Sequence, residues 1–431
     1  MSVKLYEFLK QNNFNAIDVP SLTNDLLLDM KDGLASASLA DEPMIVASSK
    51  LPNPLVPGSR TIVIDAGGTN FRSCLVTVSG DGDFIISNLE KTKMPGIEKE
   101  LSKEEFYDAI AANLDHLKDQ ATRIGFCFSY AMEITKDGDG KVLVFSKEIK
   151  APQAVGTYVG TELKKALLAR GWKDVQKITL LNDTMASLLG GFVHAQEARK
   201  NYSSYIGFIL GTGINNAYIE YDTIAKLSDN SKPHIVVCEC GMYNKVPQSN
   251  FDSKVDLAST NPGSSLLEKM CSGAYLGSVA FYALKEACAC KLFTDGFCQA
   301  FSKIDSLTPY DIDVYYNSKK DIHNKLGSLI PSSTKGDIKL MEELLQKIIE
   351  RAAQIVASVL SASVLKSTKG TNKKEPVCIV GNGTTFWKTH GLYKMLTGFL
   401  KKNLSGKNKR YYEIVKIEND ITLGASAAAF L

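Results

Sequence analysis

Two stretches of this chain are built alike, and that likeness constrains its fold more than any other feature. "TIVIDAGGTNFRSCLVTV" (61–78) and "YIGFILGTGINNAYIEY" (205–221) each read as a strand, a tight glycine turn and a second strand. At 431 residues the chain is too long for one ordinary core, so a repeated opening unit implies an internal duplication. Each half is β-rich first and α/β afterwards.

The segments between follow that scheme. In the first half come the helical "SKEEFYDAIAANLDHLKD", strands "RIGFCFSYAM" and "VLVFSKEI", helix "VGTYVGTELKKALLARG" and strand "ITLLND". The first fifty residues read as helical and lead into a Pro-rich connector, "KLPNPLVPGSR". The largest helical block is "DIKLMEELLQKIIERAAQIVASVLSASVLKS", with apolar positions at helical spacing. Strand "VCIVGNG" and a short small-residue helix, "DITLGASAAAFL", follow.

Composition narrows the function classes. Lys+Arg number 50 against 47 Asp+Glu, a formal net charge of +3, which supplies no basic field for nucleic acid. The most basic run, "KKNLSGKNKR", lacks interleaved aromatics and reads as a solvated loop or helix end. Nine scattered cysteines, an odd count, suit reduced thiols in the cytoplasm rather than a disulfide framework. Cys238/Cys240 and Cys288/Cys290 lack a further pair or a His at zinc-ligand spacing, so no zinc site is expected. The opening "MSVKLYEFLKQNNF" breaks every apolar run with Lys, Glu or Asn. No stretch reads as the roughly 20 apolar residues of a spanning helix, so no membrane is expected.

The glycine turns can hold phosphate. Gly67, Gly68, Thr69 and Asn70 let backbone N–H groups approach an anion, with two side-chain donors beside them. Asp65, at the strand end, can hold a magnesium ion (Mg2+) through water. The echo at Gly211, Thr212 and Gly213 offers a second turn, and two such turns can clamp a triphosphate. Neither GxxxxGK[ST] nor a strand-to-helix GxGxxG is present.

Seven ordered blocks, "IVIDAGGTNFR", "GFCFSYA", "SKEIKAPQAVG", "LLNDT", "GTGINNAYIE", "CECG" and "NPGSSLLEKMCSGAYLG", together resemble the eukaryotic-type hexokinase family. "KLPNPLVPG" and "GNGTTFWKTHGLYKML" extend the resemblance over nearly the whole chain. It implies a two-domain actin-like ATPase (ribonuclease H-like) fold with duplicated halves around a central cleft. The small domain would span 60–182, with 420–431 returning to it, and the large domain 183–419. Residues 1–59 would form a helical segment packed on the large domain. The implied reaction is ATP-dependent phosphorylation of the 6-hydroxyl of glucose or a related hexose, with magnesium, by a monomer or homodimer.

The resemblance assigns roles position by position. Asp183 is the general base, and Lys147 places a positive charge beside the transferring phosphoryl group. Ser129, Ser146, Lys147, Asn182, Asn215, Glu239 and Glu268 form the sugar-binding set. Asp65, Gly67, Gly68, Thr69, Asn70, Arg72, Thr212, Gly213, Gly383 and Thr384 face the nucleotide, and Arg72 can equally pair with an acidic neighbour. Read singly, Asp183 or Thr184 caps a helix starting at Met185, Glu268 is a solvated helix residue and Lys147 a surface lysine. In context, Thr184 takes the cap and Asp183 the substrate. Phe386 and Trp387 read as packing residues.

Several positions depart from the family pattern. Ser129-Tyr130-Ala131 lacks a proline, and Glu239-Cys240-Gly241 lacks a tryptophan. Asn382-Gly383-Thr384 stands where Asp-Gly-Ser is usual, with an extra residue before Lys388. An actin-like filament or chaperone ATPase needs paired turns but no hexose set, and a sugar sensor needs the hexose set without Asp183 and Lys147.

Overall fold

Each glycine-turn unit folds as an antiparallel hairpin and seeds a sheet of the same strand order. The computed structural model describes residues 2–135, 137–145, 149–228, 233–318 and 321–431; Ser146 and Lys147 lie outside them. An edge strand, β1 (Ile45–Ser48), precedes hairpin β2 (Arg60–Gly67) and β3 (Asn70–Val78). β4 (Phe84–Lys93), β5 (Arg123–Phe128), β6 (Ala131–Ile134), β7 (Gly140–Val144) and β8 (Lys177–Leu181) follow. The second half holds β9 (Ser204–Leu210), β10 (Ile214–Glu220), β11 (His234–Val237), β12 (Val377–Asn382) and β13 (Tyr412–Val415).

The first sheet runs β4-β3-β2-β5-β8, and the second runs β1-β11-β10-β9-β12-β13. In both, three antiparallel strands are followed by two parallel ones, so without β1 the two orders correspond. That correspondence is the duplication expected from the paired turns.

Local chemistry explains the helices. α1 (Val3–Gln11) and α2 (Val19–Ala35) bury Leu5, Phe8, Leu22 and Leu26 in the second-half core. α3 (Lys103–Ala112) opens on a capping box, in which Ser102 and Glu105 satisfy each other's backbone N–H groups. α4 (Val159–Ala169) buries Val159, Leu163 and Leu167 against the first-half core. α5 (Asp183–Glu197) starts at the end of β8 and is buried on nearly every face. A small third core joins the lobes: Val63 and Cys127 of the first sheet, Met185 and Leu188 of α5, Ala217 and Val237 of the second sheet, and Ala425 of the closing helix (Asp420–Ala428).

Four readings change. Residues 45–48 are a strand rather than part of a helical segment, because Ile45 and Val46 pair with Val237 and Val236 on an otherwise open sheet edge. "RIGFCFSYAM" is two strands, broken where Ser129 leaves the sheet after its N–H donates to the Ala66 carbonyl (3.0 Å). "VLVFSKEI" does not join the main sheet; only residues 142–144 of it are strand, in β7, which pairs with β6 as a separate hairpin. Finally, the helix Lys335–Lys366 is long and apolar enough to cross a membrane by length and composition, with 89% of its apolar window buried inside the protein. Its lysines and glutamates interrupt the run in sequence but fall mainly on the first turns. It forms the spine of the second-half core.

α5 and the closing helix touch backbone to backbone. A Cβ on Gly424 would lie 1.7 Å from the Ala186 carbonyl oxygen, so the crossing admits no larger residue. Gly424→Ala is therefore expected to destabilise the protein by at least about 1–3 kcal/mol in denaturant unfolding. Gly398→Ala is the control, since a Cβ there meets nothing within 4 Å and the site is mid-helix. It should be neutral or stabilising, by up to about 1 kcal/mol. Equal effects of the two variants would contradict the crossing.

Candidate active site

The end of β8 holds the two polar residues that interrupt its apolar run. Asn182 is the N-cap of α5, its Oδ1 accepting from the Met185 N–H at 2.8 Å. The cap is thus Asn182 rather than Thr184, and the helix begins at Asp183. Asn182 adopts the extended backbone a cap requires (φ −84°, ψ 168°), and its oxygen reaches the free N–H of the helix's third residue. Thr184 instead donates its hydroxyl to Asp183 Oδ1 (3.1 Å). Burial pushes the Asp183 carboxyl above the usual carboxylate range, the Thr184 hydroxyl and backbone oppose that, and Asp420 adds to it. At the first turn of a helix its anion also meets the favourable end of the dipole.

Two further carboxylates face the same cleft. Glu239 follows β11 in a left-handed backbone conformation (φ 59°), which costs a non-glycine residue about 1–2 kcal/mol. Asn215 of β10 holds it there: Asn215 Nδ2 donates to Glu239 Oε1 (2.8 Å), and Asn215 Oδ1 accepts from the Glu239 N–H (3.0 Å). Glu268 is not a solvated helix residue. Its Oε2 accepts from the Ile214 N–H (3.1 Å), close against Gly213, where a Cβ would lie 2.6 Å from that oxygen. Burial raises both carboxyls; Asn215 opposes the shift at Glu239, and the Ile214 N–H opposes it at Glu268. Asn244 ties the two glutamate segments together, its Oδ1 accepting from the Leu266 N–H (3.0 Å) while its own N–H donates to Asp41 (2.9 Å).

Ser129, Asn182, Asp183, Asn215, Glu239 and Glu268 all line one cleft of about 520 Å³. Its other wall is apolar, from Ile45 and Met242 on one lobe to Met132, Ile134 and Leu143 on the other. The first glycine turn lies beside this cleft. Gly67 abuts the Ser129 side chain, and Gly68 (φ 55°) accepts at its carbonyl from the Tyr130 hydroxyl (2.7 Å). Thr69 and Asn70 stand exposed at the tip. Asp65 and Arg72 are paired across β2 and β3, with Oδ2 and Nη1 3.3 Å apart. Burial raises the Asp65 carboxyl; Arg72 opposes that, while Asp183 and Asp420 add to it.

The second turn meets the loop after β12. Gly211 accepts at its carbonyl from the Gly273 N–H (2.8 Å) and from the Thr385 hydroxyl (2.9 Å). Gly383 has φ 111° and lies so close to the Leu210 carbonyl that a Cβ would sit 2.2 Å from its oxygen. Thr212, Gly213, Gly383 and Thr384 are thereby gathered in one place. Trp387 packs by its indole N–H on the Gly381 carbonyl (2.9 Å) and by its ring on Phe386 and Tyr393. Reading along the chain missed Tyr130 as a support of the first turn, Asn244 as a tie, and Asp420. Each acts across contacts distant in sequence.

No group of three His, Cys, Asp or Glu side chains suited to caging a metal occurs among the described residues. Asp65 instead pairs with Arg72, while the charges of Asp183 and Asp420 add to the rise of its carboxyl.

The comparisons with known proteins agree with this geometry. Family models described as hexokinase match residues 4–192 and 205–431. Glucokinase-1 of Kluyveromyces lactis is 28% identical over 352 residues, covering 73% of each chain. Hexokinase-2 of Oryza sativa subsp. japonica is 27% identical over 425 residues, covering 92% of this chain and 84% of its own. The hexokinase of Schistosoma mansoni complexed with glucose superposes with a TM-score of 0.77 at 24% identity, over 99% of this chain and 98% of its own. The ROK hexokinase from Thermus thermophilus reaches 0.54 at 14% identity, over 86% and 97%. At these identities the structural likenesses carry the fold, the two-lobed actin-like ATPase arrangement. With both glycine turns, both sheets and the carboxylate cleft inside the matched segments, the chain belongs to the hexokinase family.

Proposed function

We propose that this protein transfers the γ-phosphoryl group of ATP to the 6-hydroxyl of a hexose, glucose foremost, with Asp183 as general base. The convergence of Asn182, Asp183, Asn215, Glu239 and Glu268 on one cleft carries the reading. The hydrogen bonds already made divide the labour. Asn182 has committed its oxygen to the helix cap, so it meets sugar as a donor through Nδ2. Asn215 spends one amide N–H and its oxygen on Glu239, so it chiefly orients that carboxylate. Glu239 Oε2 and Glu268 Oε1 are left to accept from ring hydroxyls.

Asp183 takes the proton of the attacking hydroxyl as its oxygen reaches the γ-phosphorus. A carboxylate whose proton affinity is raised by burial is the better base, and such assistance is worth about 10²–10⁴ in rate. The backbone of the turns at Gly67–Asn70 and Gly211–Gly213 would receive the phosphates, with Gly383 and Thr384 beside the second turn. Magnesium travelling with ATP would spread the charge of the transferring group, and Asp65 would hold it. Closure of the lobes over sugar would exclude water, and the apolar faces at Met132, Ile134 and Leu143 and at Ile45 and Met242 are suited to meeting across the cleft. The nine free cysteines support a reducing, cytoplasmic setting.

A coupled assay with ATP, magnesium and a hexose panel is expected to yield a hexose 6-phosphate. Failure with every hexose sinks the reading. Asp183→Asn should retain sugar binding by calorimetry yet turn over at least about 10²-fold more slowly; near-normal turnover would return Asp183 to a structural role.

The pH dependence has a definite sign. Asp183 works ionised, so kcat/KM should fall as pH drops through its raised pKa, giving an acid limb above the usual carboxylate range. For folding, a raised carboxylate binds its proton more tightly folded than unfolded. Its contribution is therefore most favourable below about pH 4 and declines as pH rises through the folded value. Asp183→Asn should thus gain stability over the parent in the sugar-free state as pH rises from about 4 to 7. A gain that shrinks with pH in denaturant titrations would contradict this.

A further inference from the structure

We propose that Asp420 is a positioning residue for the nucleotide-facing loop at Gly383–Thr384, acting through Asn382. The inference rests on the phosphoryl-transfer reading above and deepens it.

Asp420 is 4% exposed and is the first residue of the closing helix. Its carboxylate turns toward two other elements. Asn382 Nδ2 donates to both of its oxygens, at 2.7 Å to Oδ1 and 2.9 Å to Oδ2, and the Ser187 hydroxyl donates to Oδ2 at 2.7 Å. Both side-chain partners are neutral. A carboxylate buried this far is costly unless its acceptors are filled, so losing either donor costs stability.

Where the partners lie gives the arrangement its consequence. Asn382 is the last residue of β12, directly before Gly383. Two residues further on, the Thr385 hydroxyl anchors the loop to the Gly211 carbonyl (2.9 Å). Gly383 and Thr384 therefore hang between two fixed points, and Asp420 supplies the first. Ser187 lies four residues after Asp183 on the same face of α5. One carboxylate thus touches both the helix that carries the base and the strand end before the nucleotide loop, and its two bonds to Asn382 set that loop. Burial raises the Asp420 carboxyl, while the Asn382 and Ser187 side chains and the backbone N–H groups at Ile421 and Asp420 oppose that rise.

The test begins with the unmodified full-length chain, whose failure to phosphorylate any hexose would defeat the functional reading rather than this one. Given activity, Asp420→Asn leaves two amides facing each other and should raise the KM for ATP about tenfold, the equivalent of one charge-assisted hydrogen bond, with the hexose KM within about twofold. Asn382→Asp places two carboxylates in contact and should do worse. The double variant D420N/N382D puts an amide opposite a carboxylate again and should bring the ATP KM back to within about threefold of the parent. Ser187→Ala, which removes the other side-chain donor, should lower the thermal midpoint and leave the ATP KM within about twofold. Should D420N unfold at the assay temperature, Asn382→Ser breaks the same contact from the more exposed side and carries the ATP-against-hexose comparison. Equal effects on both KM values, no rescue in the double variant, or an ATP effect in Ser187→Ala as large as in D420N would each overturn the proposal.

Discussion

The burial of α5 between the two lobes is the constraint on which the rest of the molecule depends. Its N-terminus presents Asp183, its sides touch strands of the second sheet, and its back meets the closing helix at the carbonyl of Ala186. A helix enclosed on so many sides must be narrow, and the run "DTMASLLGG" supplies Ala186, Ser187, Gly190 and Gly191 where neighbours come closest. Glycines in a helix interior cost about 0.5–1 kcal/mol each. Here the close packing they permit fixes the position of Asp183 relative to both sheets.

In the cleft and beside it lie carboxylates that folding alone would not favour. Asp65, Asp183, Glu239, Glu268 and Asp420 are all raised by burial, and Glu239 also carries a left-handed backbone. Such a site costs stability, because its own chain fills only part of the hydrogen-bonding capacity of these buried acceptors. The hydrogen bonds from Asn215, Ile214, Asn382 and Ser187 keep Glu239, Glu268 and Asp420 aimed.

Much of this was legible along the chain because it is written in local pattern. The paired glycine turns announced a duplicated sheet, and the ordered motifs singled out Ser129, Asn182, Asp183, Asn215, Glu239 and Glu268, which the fold brings to one cleft. Other features were opaque. Both Asn182 and Thr184 are good capping types, and the choice depended on which backbone angles the β8 junction adopts. β1 is too short and irregular to announce itself; it exists because β11 offers an open edge. The interruptions in the helix Lys335–Lys366 concealed how long an apolar face it presents once folded.

What the sequence determined by itself was the kind of parts: two hairpins with phosphate-sized turns, amphipathic helices, and a strand ending in an amide and a carboxylate. Periodicity and turn chemistry act over a few residues, so they survive without a fold. What the tertiary structure decided was the division of tasks among those parts. Asn215 becomes an orienting group, Tyr130 a brace for the first turn, and Asp420 a contact shared by α5 and the end of β12. Those assignments depend on partners 24, 62 and 38 residues away, respectively. Only packing brings such groups within hydrogen-bond distance, and only burial turns a contact at that distance into a constraint.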